Sequence, residues 1–455
     1  MTDLSHLTIA ETAAGIRAGD IAIVDLVQSC IDREEATRDL VAFSDVYRDS
    51  ALAVAAAHQA LIDKGYDLGP LHGIPMAVKA NIAVKGEPMT AGSAVLKNAA
   101  GADADVTEQL KRAGAIIIGA TNMHEFAWGG TTANPHFGQC RNPWDKARIP
   151  AGSSGGSGAA VAAGSALAAL GTDTGGSVRL PASMNGVTGL RPGVGQISTA
   201  GVFPLAWSMD TVGPLARSAD DCCTVYRAMS RKATPQVAPP RSLEGARIGL
   251  IDGYGFERLQ PDIEAAFRTL VHTFEAMGAI VDLIRIDGLD VAVDAQVIVD
   301  AAEPSAVHAP WLANKAEQYG EDVRILLHAG MTFTAIEYLQ AQRYRTYLRD
   351  QIDRHFQNVD VIVTPTLPFT APLIGQETIM IGNVEESTLT GNMRFTCIPS
   401  LSALPAISFP IGNDSLNLPI GAQLMGGCSS EEQLMKIVSD YQGATAFHRL
   451  RPQSL

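Results

Sequence analysis

The sequence predicts an α/β fold, and three observations carry that prediction. Apolar runs of strand length alternate with stretches of helical spacing. The 455 residues are 46 % hydrophobic and 18 % charged, a composition that buries a large core rather than staying disordered. Two Gly/Ser-rich turns, Gly152–Gly158 and Gly171–Ser177, bracket a run of small residues, Ala159–Leu170. Alanine favours helix and glycine favours turns, so this stretch predicts a closely packed helix with a loop at each end. There is no internal repeat and no linker-like segment, and one domain over residues 1–455 is the simplest organisation.

Thr8-Ile-Ala-Glu11 has the capping-box pattern and starts a first helix. Asp25–Ala36 and Asp49–Lys64 read as the next two, the latter stopped by Gly65. Residues 1–66 therefore predict a helical layer. Ile74–Val84, IPMAVKANIAV, reads as the first buried strand, and Lys79 in its middle is anomalous. A lysine in an apolar run must snorkel out, pair with a charge, or lose its proton. Val106–Ala113 predicts a helix stopped by Gly114, followed by a strand over Ala115–Gly119.

Beyond the Gly/Ser stretch, Arg247–Ile251 predicts a strand. Asp262–Met277 predicts an amphipathic helix with Ile263, Phe267, Leu270, Val271, Phe274 and Met277 on one face. Ala279–Ile286 alternates like a strand, and residues 290–357 read as largely helical. Val359–Thr364 is a short apolar strand ending at Pro365. Leu404–Pro410 and Pro419–Gly426 read as a strand pair on the far side of the sheet.

Several functions are disfavoured at once. A net charge of −14 argues against direct binding to nucleic acid or to an anionic membrane surface. No run of about 20 apolar residues reads as a membrane span. The N-terminal MTDLSHLTIAETAAG has neither the basic nor the apolar part of a signal peptide. Six scattered cysteines without C-x-x-C spacing read as free thiols in a reducing compartment, so the expected location is cytoplasmic. His124-Glu125 opens a zinc-protease motif, but the second histidine it needs is replaced by Trp128. His124 and His136 therefore read as loop or pocket-wall residues. Neither glycine loop carries G-K-[ST] or G-x-G-x-x-G, so no nucleotide, flavin or nicotinamide cofactor is expected, and the missing second histidine argues against a metal.

Hydroxyls and bare backbone N–H groups gathered at two loops suit acyl transfer, which needs a nucleophile and donors for an oxyanion. One arrangement is a nucleophile elbow. Gly152-Ser153-Ser154-Gly155-Gly156 matches G-x-S-x-G, with Ser154 as nucleophile and His308 or His328 as candidate base. Against it, residues 146–151 make a weak strand interrupted by Pro150. A second arrangement uses both loops and the anomalous lysine. GIPMAVK ends at Lys79, GSSGGS starts at Gly152, and GTDTGGSVRLPA starts at Gly171. Together these segments resemble the amidase signature family. Ser153 and Ser177 stand 24 positions apart, as that family's pattern requires. The resemblance continues through Thr364–Thr366, LPAISFP and PIGAQLMG, from about residue 57 to 426, and is weakest over 230–355.

The resemblance implies a large mixed β-sheet covered by helices on both faces. Within it, 67–230 would be the signature core, 231–357 the variable substrate-shaping part and 358–455 the C-terminal sheet segment. It implies Ser177 as nucleophile, Ser153 as a bridging serine in a cis peptide with Gly152, and Lys79 as base. The oxyanion would be held by the amides of Thr174, Gly175, Gly176 and Ser177. Ser154, Asp173 and Arg179 would hold the two loops together, with Arg179 alternatively meeting a substrate carboxylate. A lysine base must be neutral, so its pKa must fall from its usual ~10.4, which burial in an apolar strand promotes. Two positions depart from the family pattern: Ala80 stands for an aspartate, and Ala151 for a glycine.

The implied reaction is hydrolysis of the C–N bond of small amides, anilides or carbamates. The loop NMHEFAWGGTTANPHFG is similar to those of aryl acylamidases and indoleacetamide hydrolases, and urethane hydrolysis would use the same chemistry. Phe126 and Trp128 would line a pocket for an apolar substrate, or simply pack the core. Residues 121–138, 200–210 and 290–357 are the expected pocket walls. The implied partner is a small-molecule substrate, and a homo-oligomer is compatible with the sequence. Two other readings stay open: the amidase subunit of a tRNA-dependent amidotransferase, and a scaffold that keeps the fold but only binds.

Overall fold

A computed structural model describes residues 7–230, 241–254 and 256–453. Eleven strands form one sheet: β1 (Phe43–Val46), β2 (Pro75–Lys79), β3 (Ile116–Thr121), β4 (Ala168–Asp173), β5 (Thr188–Arg191), β6 (Thr211–Ala216), β7 (Arg247–Ile251), β8 (Ile280–Ile284), β9 (Val361–Pro365), β10 (Ala406–Asn413) and β11 (Pro419–Gly426). Their spatial order is β1-β3-β2-β4-β6-β5-β10-β11-β9-β7-β8. The sheet is mixed. β2 runs parallel to both β3 and β4, and β7 runs parallel to β8 and β9. The middle of the sheet, from β4 through β11 to β9, is antiparallel. Helices cover both faces.

The N-terminal layer consists of α1 (Ile9–Ala18), α2 (Ile23–Ala36) and α3 (Arg48–Asp63). The capping box at Thr8 and Glu11 forms as the pattern requires, and Gly65 follows α3 in the left-handed region. This segment also contributes β1 to the sheet edge, which a purely helical reading of 1–66 omits. Residues 1–6 and 231–240 lie outside the described residues. Next come α4 (Asp105–Arg112), α5 (Gly155–Ala163), α6 (Arg179–Asn185), α7 (Ala219–Met229) and α8 (Pro261–Ala276). The largely helical region is α9 (Ala292–Lys315), α10 (Glu321–Gly330) and α11 (Ala335–His355). No helix among the described residues is long and apolar enough to cross a membrane.

Three expectations are corrected. The strand read over Ile74–Val84 ends at Lys79, where the Ile82 amide turns back to the Lys79 carbonyl. That early end puts Lys79 at the carboxyl edge of a parallel strand, where open α/β sheets place their ligands. The run Ala159–Leu170 is not one helix. α5 starts inside the first glycine loop and stops at Gly164, and Ala168 begins the central strand β4. Every residue of both elements is buried, so neither has a polar face, and the change is marked only by Gly164, left-handed at the helix end, and Ser165 after it. Finally, β10 and β11 are paired as expected but sit in the interior of the sheet, between β5 and β9.

Candidate active site

The ends of β2 and β4 and the turn before α5 meet at one point. Lys79, fully buried, extends from β2 with its Nζ 2.7 Å from Ser153 Oγ and 2.7 Å from Thr172 Oγ1. The Gly152–Ser153 peptide is cis. The His124 amide donates to the Ser153 carbonyl at 3.1 Å and so fixes the turn from outside. Burial is the dominant influence on Lys79 and lowers its pKa to about 7, against the opposing pull of Asp210 and Asp173. Ala80, where the family pattern has aspartate, adds no carboxylate to this opposing pull. Thr172, on β4, had no signal in the sequence. Asn81 Nδ2 also donates to its hydroxyl, at 3.3 Å.

Ser177 closes the loop after β4. Its carbonyl accepts from the Ser154 amide at 3.3 Å, which ties the two Gly/Ser loops together. The loop is held by its carbonyls. That of Gly175 accepts from Thr396 Oγ1 at 2.8 Å, and that of Gly176 from the Leu180 amide at 2.7 Å. The amides of Gly175, Gly176 and Ser177 donate to no protein acceptor among the described residues. Gly176 has φ +138°, and a Cβ there would meet Thr396 Oγ1 at 2.7 Å. Gly176→Ala must therefore shift the loop and misaim its amides. The expected result is a fall in kcat of about 10²-fold or more, measured by steady-state kinetics.

Asp173 anchors the loop from below. Arg179 grips it twice, at 3.0 and 2.9 Å, and Arg191 Nη1 lies 3.0 Å from its Oδ1. All three side chains are fully buried. Burial opposes ionisation of Asp173, but the two guanidinium groups overcome it and hold the carboxyl far below its ordinary range. Arg179 spends its remaining donors on the Thr396 carbonyl, Gln423 and Ser400. None is left for a substrate carboxylate, so that alternative for Arg179 is corrected. Asp173→Asn would leave buried positive charge uncompensated, and it should cost about 3–5 kcal/mol in a urea melt.

A cavity of about 140 Å³ opens beside this site. Ser177, Gly152, Gly175 and Trp128 line it, with Gln296, Val297, Asp300 and Ala301 from α9, Leu326 from α10, and Leu389, Asn392 and Met393 from a short helix over Thr388–Met393. Phe126 is not on its wall. It packs at 1 % exposure in an aromatic cluster with Phe203, His308 and Tyr319. Asp210 was also unmarked in the sequence. It accepts from Thr174 Oγ1 at 2.6 Å and from the Leu205 amide at 2.9 Å.

The elbow arrangement does not form. Ser154 is buried with its hydroxyl donating to the Thr172 carbonyl at 3.2 Å, and residues 146–151 make no strand. His308 instead faces Tyr319 at 3.0 Å, with its pKa lowered by burial to about 4, and His328 is exposed on α10. His124 and His136 pair with Asp322 and Glu125, each at 2.9 Å. No group of three or more potential metal ligands occurs among the described residues.

Comparison with known proteins gives a consistent picture. The family model described as Amidase matches residues 25–435. A protein of Pseudomonas putida named Amidase is 35 % identical over 472 residues, covering 100 % of this chain and 99 % of its own. A glutamyl-tRNA(Gln) amidotransferase subunit of Chloroflexus aurantiacus is 34 % identical over 492 residues, covering 100 % and 99 %. The crystal structure of an amidase superposes with a TM-score of 0.92 at 29 % identity, covering 96 % of this chain and 100 % of that one.

Proposed function

The chain belongs to the amidase signature family of C–N hydrolases, and from that premise we propose that it cleaves small-molecule amides through Ser177, Ser153 and Lys79. One observation carries the assignment of roles. A buried lysine, its pKa lowered to about 7, stands 2.7 Å from the hydroxyl of Ser153, whose neighbour Gly152 lines the same cavity as Ser177. Ser177 Oγ attacks the substrate carbonyl carbon while its proton passes through Ser153 to Lys79 Nζ. The free amides of the Gly175–Ser177 loop hold the oxyanion. Lys79 returns the proton through Ser153 to the departing nitrogen, and the C–N bond breaks. Water then attacks the acyl-enzyme by the same relay and restores Ser177. Asp173, Arg179 and Ser154 position the loops and exchange no proton with substrate.

The same reading takes residues 1–455 as one catalytic domain, in which 231–357 shapes the substrate site. Trp128, Leu205, Val297, Leu326 and Leu389 make much of the cavity apolar, which suits an aryl or alkyl group. A carbamate offers the same carbonyl as an anilide, so both fall within reach of this chemistry. No disulfide joins any of the six cysteines, all of them among the described residues, in keeping with a reducing, cytoplasmic setting. The test is a matched chromogenic pair, an anilide and an O-alkyl carbamate of one aromatic amine. Wild type should cleave at least one of them and Ser177→Ala neither. Failure on both would reject this substrate class.

The Chloroflexus relative supports a second reading, the glutaminase subunit of an amidotransferase. Glutamine hydrolysis by the purified chain, rising with a co-purifying partner, would favour it. Glutamine left intact beside a cleaved anilide would reject it.

A further inference from the structure

The cavity lining carries hydrogen-bond acceptors with no donor among the described residues. On α9, Gln296 Nε2 donates to Asp300 Oδ2 at 3.0 Å. That bond sets the amide with its nitrogen on the carboxylate, so Gln296 Oε1 is left without a partner. Asp300 Oδ1 and Asn392 Oδ1 are likewise buried and unpartnered. All three residues line the cavity that holds Ser177. Gln296 is 0 % and Asn392 2 % exposed, so bulk water does not serve them. Buried acceptors in folded proteins are nearly always paired, and three orphans on one cavity point to donors that a ligand brings.

Charge narrows the ligand further. Burial is the main influence on Asp300 and, with Asp210 and Glu303 adding to it, raises its pKa to about 7, while Gln296 and Arg191 act the other way. A cation beside the carboxylate would favour its ionised form. A neutral N–H would satisfy an acceptor without offsetting that charge, whereas an ammonium group does both and has three N–H donors to share. The wall is also close to the chemistry. A Cβ on Gly175, in the oxyanion loop, would meet Gln296 Nε2 at 2.0 Å.

We infer that Gln296, Asp300 and Asn392 form a subsite for a protonated amino group, so that the enzyme prefers amides bearing a second, ammonium nitrogen over uncharged isosteres. The inference rests on the hydrolase reading above. It is tested with the whole chain at pH 8, above the pKa of about 7 to which burial brings both Lys79 and Asp300. Ammonia release is measured from 3-aminopropanamide and 4-aminobutanamide, and from butanamide and pentanamide, which replace the ammonium by methyl. Wild type should favour the amino amides in kcat/KM by about tenfold or more, the scale of one charge-assisted contact. Asp300→Asn should bring that ratio close to one, and Asn392→Leu should lower it without altering any charge.

Equal or better turnover of the alkyl amides by wild type overturns the subsite and leaves the hydrolase reading standing. So does a ratio unchanged in both variants. Turnover of no amide in either series overturns the subsite, and the hydrolase reading falls with it only if the anilide and the carbamate are also left intact.

Discussion

Ser177→Ala is expected to lower kcat by about 10⁴-fold or more, because no other hydroxyl can take its place. Ser153 is committed to Lys79, and the buried Ser154 donates to the Thr172 carbonyl and does not line the cavity. The change removes one oxygen at the cavity surface, and the loop is held by backbone carbonyls rather than by the Ser177 side chain. The fold should therefore be unaltered, with Tm within a few degrees of wild type. Steady-state rates on an amide or anilide, beside a thermal melt, check both parts. Activity within tenfold of wild type would remove Ser177 from the mechanism.

Lys79→Met is expected to lower kcat by about 10³-fold or more, since the relay loses its only proton acceptor. Wild-type kcat/KM should rise with pH through about 7 and then level, because only the neutral amine accepts a proton. The stability consequence has a definite sign. The folded-state pKa, about 7, lies below the ordinary ~10.4, so the unfolded chain binds the proton more tightly. This group lowers stability increasingly as pH falls from about 10.4 to about 7, and by a constant amount below that. Lys79→Met removes the penalty, at the loss of the contacts to Ser153 and Thr172. Its Tm at pH 7 should match or exceed that of wild type while activity collapses. A large loss of both would mark Lys79 as a structural residue.

Much of this architecture was legible in the sequence. Lys79 stood out because a charged residue in an apolar strand breaks the pattern, and the two serine loops stood out by composition. Helices with polar outer faces, such as α8, could be read from their spacing. What failed to show has a common cause. In α5 and β4 every position is buried, so neither period 2 nor period 3.6 survives in the pattern. β5 and β6 are short, fully buried and interrupted by Gly189, Gly213 and Pro214, which read as turn residues. Thr172, Arg191 and Asp210 act through contacts made only when distant segments meet, and no local spacing encodes them. The same holds for the cavity wall. The helical character of 290–357 was readable, but not which of its residues line the cavity with Ser177.

The most direct test of the central claim is to label the enzyme with a serine-directed acylating or phosphonylating probe and map the adduct by peptide mass spectrometry. One adduct per chain is expected, on Ser177. It should be absent from Ser177→Ala and form far more slowly on Lys79→Met. An adduct on Ser153 or Ser154, or labelling of Ser177→Ala at the wild-type rate, would contradict it.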